Sequence, residues 1–320
     1  MKILITGGTG MIGRPLVRQL VENGHQVWAL TRSPRETDLP SGVELVAWDA
    51  KTTQGWGHLA GQVDAIIHLA GVNIGERPWT NERKRLIRSS RVESGQAVVD
   101  AICQSSQRPS VLIQIAGTGY YGVHGDEVLD EQAPNGSDFL AGVGADWENA
   151  TLPVTELGVR RITMRTGVVL SMKGGILDPF ILQNRLFAGG PLGSGRQWVS
   201  WIHIDDLLRA IQFFLDHPQA SGVFNVTSPE PLTNRDFGRT VAQVMRRPFW
   251  APVPGFMLKL VLGEMSTLVL DGQRVVPKRL TEMGFQFEYN TLRKAVADLL
   301  TKRGTIEPLS VQNTRRGDLS

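Results

Sequence analysis

The chain predicts an α/β fold, a doubly wound parallel sheet followed by a smaller, mainly helical C-terminal domain. Three observations predict it. Short β-branched runs alternate with amphipathic stretches from Lys2 to about Arg165. A glycine cluster stands directly between the first run and the first amphipathic stretch. Beyond Val168 the alternation loosens, and Pro248, Pro252 and Pro254 mark a composition shift into a helical end.

Each element follows from its own pattern. Residues 2–6, Lys-Ile-Leu-Ile-Thr, form a strand of the kind buried in parallel sheets. Residues 14–22 place Leu16, Val17, Leu20 and Val21 at helical spacing, and Gly24 stops that helix. Strands follow at 26–30, 43–48 and 65–70, then a long amphipathic helix at 81–105. Residues 111–116 and 161–165 are the fifth and sixth strands. Later come a glycine-rich segment at 189–195, a helix near 205–215 and a strand at 223–226. The predicted organisation is a sheet domain over 1–246, with 170–204 contributing to a substrate cleft. A small helical domain covers 247–302, and a polar tail at 303–320 is expected to be disordered.

Composition excludes several classes. With 41% hydrophobic and 20% charged residues the chain is globular, and its 35 glycines lack the period of collagen. A net charge of +3 argues against nucleic acid, and the Arg83-Lys84-Arg85 run reads as a solvated helix face. No apolar run reaches membrane-spanning length, and no signal or transit pattern opens the chain. The single cysteine, Cys103, fits a reducing compartment. The expectation is a soluble, cytoplasmic protein with no membrane partner and no metal.

Gly7, Gly8, Thr9, Gly10, Met11, Ile12 and Gly13 join the first strand to the first helix. Glycine lets the backbone approach a pyrophosphate, and the helix N-terminus offers unpaired N–H groups to it. In this strand–turn–helix setting the motif predicts a dinucleotide on Gly7, Gly10, Met11, Ile12 and Gly13, and hence a Rossmann-type sheet. The second strand ends in Leu30-Thr31-Arg32-Ser33, with no acid before Glu36. An NAD enzyme usually places a carboxylate here for the ribose hydroxyl. Arg32 can instead pair with a 2′-phosphate, and Thr31 and Ser33 can add hydroxyl bonds, so NADP(H) is favoured. Asp49, past the third strand, can accept from the adenine amino group or simply form a turn. His68-Leu69-Ala70-Gly71 ends the fourth strand where small residues would line the cofactor cleft.

Further motifs narrow the reading. They are Leu69-Ala70-Gly71, Arg77-Pro78-Trp79-Thr80, Ser90-Arg91, Gly119-Tyr120-Tyr121-Gly122, Asp146-Trp147-Glu148, Gly189 to Gly195 and Ser200 to Asp206. The chain from Met1 to about Leu300 thereby resembles an extended short-chain dehydrogenase/reductase. It is most similar to the atypical epimerase-family branch, with its YfcH-like and human 39U-like members. Members of that branch end in a small helical domain of unknown function, matched here by about 247–299. The resemblance implies an NADP(H)-binding Rossmann domain in which Thr31 and Arg32 meet the 2′-phosphate. It also implies that Leu69, Ala70, Gly71, Arg91 and Val168 touch the cofactor, although Arg91 can equally be an exposed helical arginine.

The catalytic pattern of that superfamily fails here. Typical members use a hydroxyl residue and Tyr-x-x-x-Lys, whose lysine lowers the tyrosine pKa for proton transfer. Counting back from Glu148, the tyrosine is replaced by Leu140 and the lysine by Gly144. The usual hydroxyl after the fifth strand falls at Ala116 or Gly117, with Thr118 one residue later. Tyr120 or Tyr121 with Thr118 can act as a displaced acid, helped by His203 or Glu148. Otherwise these residues are structural: Tyr121 a structural or substrate-lining aromatic, His203 with Asp205 and Asp206 an anchor of the following helix in which Asp205 is the N-cap and Asp206 a first-turn acid, Trp147-Glu148 helix packing and Asn225 a strand-end residue. The segment up to Gln197 reads as a mobile loop with Arg196 at a cationic tip, suited to an anionic ligand.

Two functions remain. One is an oxidoreductase or nucleotide-sugar epimerase acting on a small polar, anionic or nucleotide-linked molecule. The other is a non-catalytic NADP(H)-dependent sensor or scaffold, for example in cell division. The sequence gives no indication of oligomeric state.

Overall fold

The computed structural model describes residues 1–34, 38–171 and 176–304; Glu36 and the expected tail from 305 onward lie outside the described residues. The central sheet contains β1 (Lys2–Thr6), β2 (Gln26–Thr31), β3 (Glu44–Ala47), β4 (Ala65–His68), β5 (Val111–Gly117), β6 (Arg160–Thr166) and β7 (Gly222–Val226). Among the described residues it is a seven-stranded sheet ordered β3-β2-β1-β4-β5-β6-β7, and every ladder is parallel. The chain winds outward from β1 in both directions, so a crevice opens between the C-terminal ends of β1 and β4.

The helices are α1 (Gly13–Glu22), α2 (Asn81–Gln104), α3 (Phe139–Thr151), α4 (Leu177–Arg185), α5 (Ile204–Asp216), α6 (Asn234–Val244) and α7 (Gly255–Leu262). A final helix spans Leu292–Lys302. Alternate strand residues feed opposite faces of the sheet. Ile3 and Ile5 pack with Leu16 and Leu20 of α1 and Leu207, Ile211 and Phe214 of α5. Leu4 turns the other way, to Trp28, Leu30 and the α2 residues Val98 and Ile102. Boundaries agree with the sequence pattern to within one or two residues.

The C-terminal segment carries no separate core among the described residues. Tyr289, Leu292, Val296 and Leu300 lie in one cluster with Leu170, Phe180, Trp201 and Phe237. The strand Arg274–Val275 pairs in parallel with Val128–Leu129. The composition shift after Arg246 therefore does not coincide with a break in packing.

The start of α5 corrects an expectation. Its N-cap is His203, whose Nδ1 accepts the Asp205 N–H at 3.1 Å; Asp205 itself stands inside the first turn. Asp206 is buried and accepts the N–H groups of Glu288 and Tyr289, at 2.9 and 2.8 Å, while pairing with Arg209. It fixes the C-terminal segment rather than only complementing the helix dipole.

His68 ties β1 to β4 and α2. The Thr6 hydroxyl accepts the Leu69 and Ala70 N–H groups, both at 3.2 Å, and so donates its own proton to His68 Nδ1 at 2.8 Å. His68 is completely buried, and burial lowers its pKa to about 4. The unfolded chain binds a proton near pH 6.5 and the folded chain does not. His68 thus contributes stability above pH 6.5 that is lost as pH falls toward 4, by up to about 3 kcal/mol. In His68→Gln, urea unfolding between pH 7 and 4 is expected to show a shallower loss than in the parent chain. An unchanged slope would assign the acid sensitivity elsewhere.

Candidate functional site

The glycine turn occupies the crevice between β1 and β4. Gly7 has φ +73°, and a Cβ there would stand 3.0 Å from the Leu69 carbonyl carbon. Both backbone conformation and space therefore demand glycine. A Cβ on Gly13 would collide with the Gly7 carbonyl oxygen and Gly8 Cα, so α1 begins in backbone contact with the turn. The Arg14 guanidinium steadies the turn by donating to the Thr9 carbonyl at 2.8 Å. Helix α1 has neither a side-chain cap nor an acid in its first turn. Its N-terminus therefore offers uncompensated N–H groups and positive dipole to an anion. Met11 and Ile12 lie at this mouth, and a side chain at Gly7 or Gly13 would fill the cradle.

At the end of β2, Thr31 is buried and its hydroxyl accepts the Ser33 N–H at 3.2 Å. Arg32 is exposed and has no hydrogen bond or ion pair among the described residues. Asp49 is used locally. Its carboxylate accepts the Lys51 and Thr52 N–H groups and the Thr52 hydroxyl, all at 2.8 Å, and these bonds hold its pKa below the usual carboxylate range. Of its two sequence readings, the turn is the one this geometry builds.

Arg91 is buried on α2, not an exposed helical arginine. Its Nη1 donates to the Ile87 carbonyl at 2.9 Å, its guanidinium lies 4.7 Å from the Trp147 ring, and Gly71 leaves room for its stem. No carboxylate pairs with it among the described residues. Burial, with Arg83 nearby, lowers its pKa to about 10. A buried cation without a counter-ion is costly unless an anion completes it. Leu69 and Ala70 end β4 beside Gly7, and Val168 begins a short strand whose N–H donates to the Ser200 carbonyl at 2.8 Å.

The tyrosine pair sits in a 3-10 turn, Thr118–Tyr121, after β5. Tyr121 is fully buried. Its hydroxyl donates to Asn225 Oδ1 at 2.6 Å and accepts from Arg165 Nη1 at 3.1 Å. Burial first, against the opposing charge of Arg165, pushes its pKa up to about 12. Of the two readings of Tyr121, displaced acid or structural aromatic, this geometry builds the structural one, with the hydroxyl proton donated to Asn225. Tyr120 is half-buried, and its hydroxyl has no hydrogen bond among the described residues. Thr118 is buried at the head of the same turn.

An ion pair between Arg165 and Glu148, which sequence spacing does not reveal, organises this turn. Arg165 Nε and Nη2 meet the two Glu148 oxygens at 2.8 and 2.9 Å, a bidentate pair with side chains only 5% and 10% exposed. The Arg165 guanidinium also lies 3.4 Å from the Tyr120 ring centroid. Burial lowers its pKa, but Glu148 more than offsets this and the net shift is upward. The Leu140 and Gly144 register is equally occupied. A Cβ on Gly144 would lie 3.1 Å from Tyr120 Cα, and one on Gly119 would lie 3.4 Å from Leu140 Cβ. No lysine fits at Gly144 without moving the turn.

The rim is pinned, which corrects the mobile-loop expectation. Backbone bonds join Gly193 to Val253, Val253 to Pro191, and Trp250 and Ala251 to Gly189. A Cβ on Gly190 would collide with the Ala251 carbonyl. Gln197 donates to the Leu192 and Val269 carbonyls at 2.9 and 2.8 Å, while Arg196 remains exposed. Residues 263–272 form a strap across this rim. Glu264 meets Lys84 of α2 at 2.5 Å, Leu268 lies beside Gly75, and the Gly272 carbonyl accepts the His124 N–H at 3.4 Å. His203, Asp205 and Asp298 come together elsewhere, but Lys302 already meets both carboxylates at 3.1 and 2.8 Å.

Comparison with known proteins matches residues 3–139 to the NAD dependent epimerase/dehydratase family and 253–299 to a domain of unknown function (DUF1731). Epimerase family protein SH2119 of Staphylococcus haemolyticus is 40% identical over 300 residues, covering 93% of this chain and 99% of its own. The chloroplastic SDR39U1 homolog of Arabidopsis thaliana is 40% identical over 309 residues, covering 94% and 87%. The crystal structure of human epimerase family protein SDR39U1 (isoform 2) with NADPH superposes with a TM-score of 0.82 at 31% identity. That superposition covers 93% of this chain and 99% of the human one.

The buried pair makes a direct prediction. Arg165→Met strands Glu148 and is expected to cost about 3–5 kcal/mol in chemical denaturation. Adding Glu148→Leu should recover much of that loss. A single variant within about 1 kcal/mol of the parent would show that the pair does not organise the turn.

Proposed function

The chain belongs to the epimerase family, and from that premise we propose that it is an NADP(H)-dependent oxidoreductase or epimerase with an atypical proton relay. The observation that carries this reading is the pairing of an uncapped glycine turn with a buried arginine, Arg91, that meets no carboxylate among the described residues. Both features favour the phosphates of a dinucleotide. The residues that would hold it are Gly7, Gly10, Met11, Ile12 and Gly13 at the pyrophosphate, with Leu69, Ala70, Gly71, Arg91 and Val168 further along the cleft. Arg32, exposed and without a partner among the described residues, suits a 2′-phosphate, and Thr31 and Ser33 stand beside it. The NADPH in the human relative's crystal structure supports the same choice. When bound, the cofactor supplies a hydride donor or acceptor at the nicotinamide C4.

The chain's own contribution is proton handling and enclosure. Tyr120 is the hydroxyl available to donate a proton to a carbonyl oxygen, because Tyr121 is committed to Asn225. Trp79 and Phe139 pack edge to face at 5.2 Å with Lys84 over the Phe139 ring, and with Leu140 and the strap they would exclude water from a small polar or nucleotide-linked substrate. We propose a reducing, cytoplasmic location, which the single, free and exposed Cys103 supports.

A second reading has its own support. Gly144 is packed against Tyr120, so the lysine that activates a family tyrosine has no place here. A protein that binds NADP(H) without turnover, as a sensor or scaffold, fits that observation.

Titration of the cofactor-free protein with NADPH and NADH separates these readings. Arg32→Glu is expected to weaken NADPH by about 30-fold or more, a loss of about 2 kcal/mol, with little effect on NADH. Equal losses would remove Arg32 from the 2′-phosphate. Where a panel of carbonyls and sugar nucleotides yields turnover, Tyr120→Phe should abolish it with NADPH affinity retained, and Tyr121→Phe should mainly lower stability. Tight binding with no turnover across the panel favours the sensor.

A further inference from the structure

Helix α7, Gly-Phe-Met-Leu-Lys-Leu-Val-Leu, carries a single charge, Lys259. At about 100° per residue, Leu258 and Leu262 share one side while Phe256, Met257, Leu260 and Val261 share the other. Leu258 packs against the third core cluster. The opposite face is bare: Phe256 is 72% exposed, Met257 48%, Leu260 85% and Val261 77%. Scattered apolar side chains are ordinary on a surface, but a contiguous face is not, and a helix apolar on nearly all sides is normally enclosed.

Area and charge together point to one kind of occupant. The four side chains present on the order of 500 Å², so two such faces meeting would bury about 1,000 Å², where specific interfaces begin. Lys259 lies on the flank of the face, and the next acid, Glu264, is engaged by Lys84. An uncharged face has nothing to offer a strongly charged partner, whereas it matches itself. Antiparallel pairing about a two-fold axis sets Phe256 opposite Val261 of the second copy and Met257 opposite Leu260. Each pair combines a longer side chain with a shorter one.

We propose that α7 is a self-association surface through which two copies of this chain pair, helix against antiparallel helix. The pairing goes beyond the cofactor reading and does not rest on it. It does bear on the site, because α7 runs directly into the strap through Glu264 and Leu268. A dimer would hold both straps over their clefts.

Sedimentation velocity on the full chain tests this between about 1 and 100 µM. A concentration-dependent dimer is expected. Leu260→Asp places a carboxylate in the seam from both sides and should weaken association by about a hundredfold or more. Circular dichroism and NADPH titration on the same sample establish that the variant is folded. Should it fail to fold, Phe256→Cys and Val261→Cys chains, each in a Cys103→Ser background, are mixed under mild oxidation. A disulfide between the two chains is the expected product, and its absence overturns the pairing. A wild-type chain that stays monomeric overturns the proposal, as does a dimer untouched by Leu260→Asp. A monomer that co-sediments with phosphatidylcholine/phosphatidylglycerol vesicles overturns it in favour of a lipid surface. Loss of NADPH binding in the parent chain would defeat the cofactor reading and leave the dimer standing.

Discussion

Helix α1 meets the turn before it backbone to backbone, and the geometry of the cleft follows from that contact. With Gly13 lying on Gly7 and Gly8, the helix axis is aimed at the space beyond β1. Gly7 lies equally close to the end of β4, so the turn is held between two elements of the sheet core. Thr6 closes the third side by accepting N–H groups from Leu69 and Ala70. A site assembled from main chain cannot adjust by changing rotamers. That rigidity suits a pyrophosphate, whose charge is the same in every substrate complex, and it confines variation to the far end of the cleft.

Arginine is used in two opposed ways across this sheet. Arg160, Arg161, Arg165 and Arg279 spend their donors inside the protein, on the carbonyls that end α5, on the Gln114–Thr151 group, on Glu148 and on the carbonyls of Ser221 and Val223 respectively. Each closes a junction between a strand and a neighbouring element. Arg32 and Arg91 do nothing of the kind. One stands exposed at the end of β2, and the other is buried with a single carbonyl partner. The contrast separates arginines whose donors are consumed within the fold from two whose donors, among the described residues, are left largely open, and burial alone does not reveal it.

How much was legible in the sequence depended on how local each cause was. The glycine turn, the alternation of strands and helices, and the exposed Arg32 could be read because each is set within about ten residues of chain. Glu148 and Arg165 could not be paired in that way: they are 17 residues apart, on a helix and a strand whose register is a tertiary fact. For Tyr121 the acid and structural readings both stayed open because nothing nearby in sequence announces Asn225, 104 residues on. Asp205 looked like an N-cap because aspartate commonly is one, yet the strand before α5 ends at His203 and its ring takes the position first. The glycines at 189–195 suggested motion for the same reason. Glycine also marks close backbone approach, and here residues 249–253 lie against them.

The strap shows why the two ends of the cleft can be coupled. Lys84 and Arg91 lie seven residues apart on α2, two turns along one face. An anion that fixes Arg91 therefore acts on the same rigid rod that carries Lys84 to Glu264. That ion pair is partly exposed and worth at most about 1 kcal/mol, too little to seat ten residues alone. The Gln197 side chain, donating to the Val269 carbonyl, and a main-chain bond from His124 to Gly272 anchor the far end of the strap. Its near end, continuous with α7, has only Leu258 packed into the third core and leaves its other face bare. Leu270 packs against Gly193 and Gly255, so the strap, the glycine-rich rim and the start of α7 share one contact, and whatever covers the bare face of α7 acts on the strap through it.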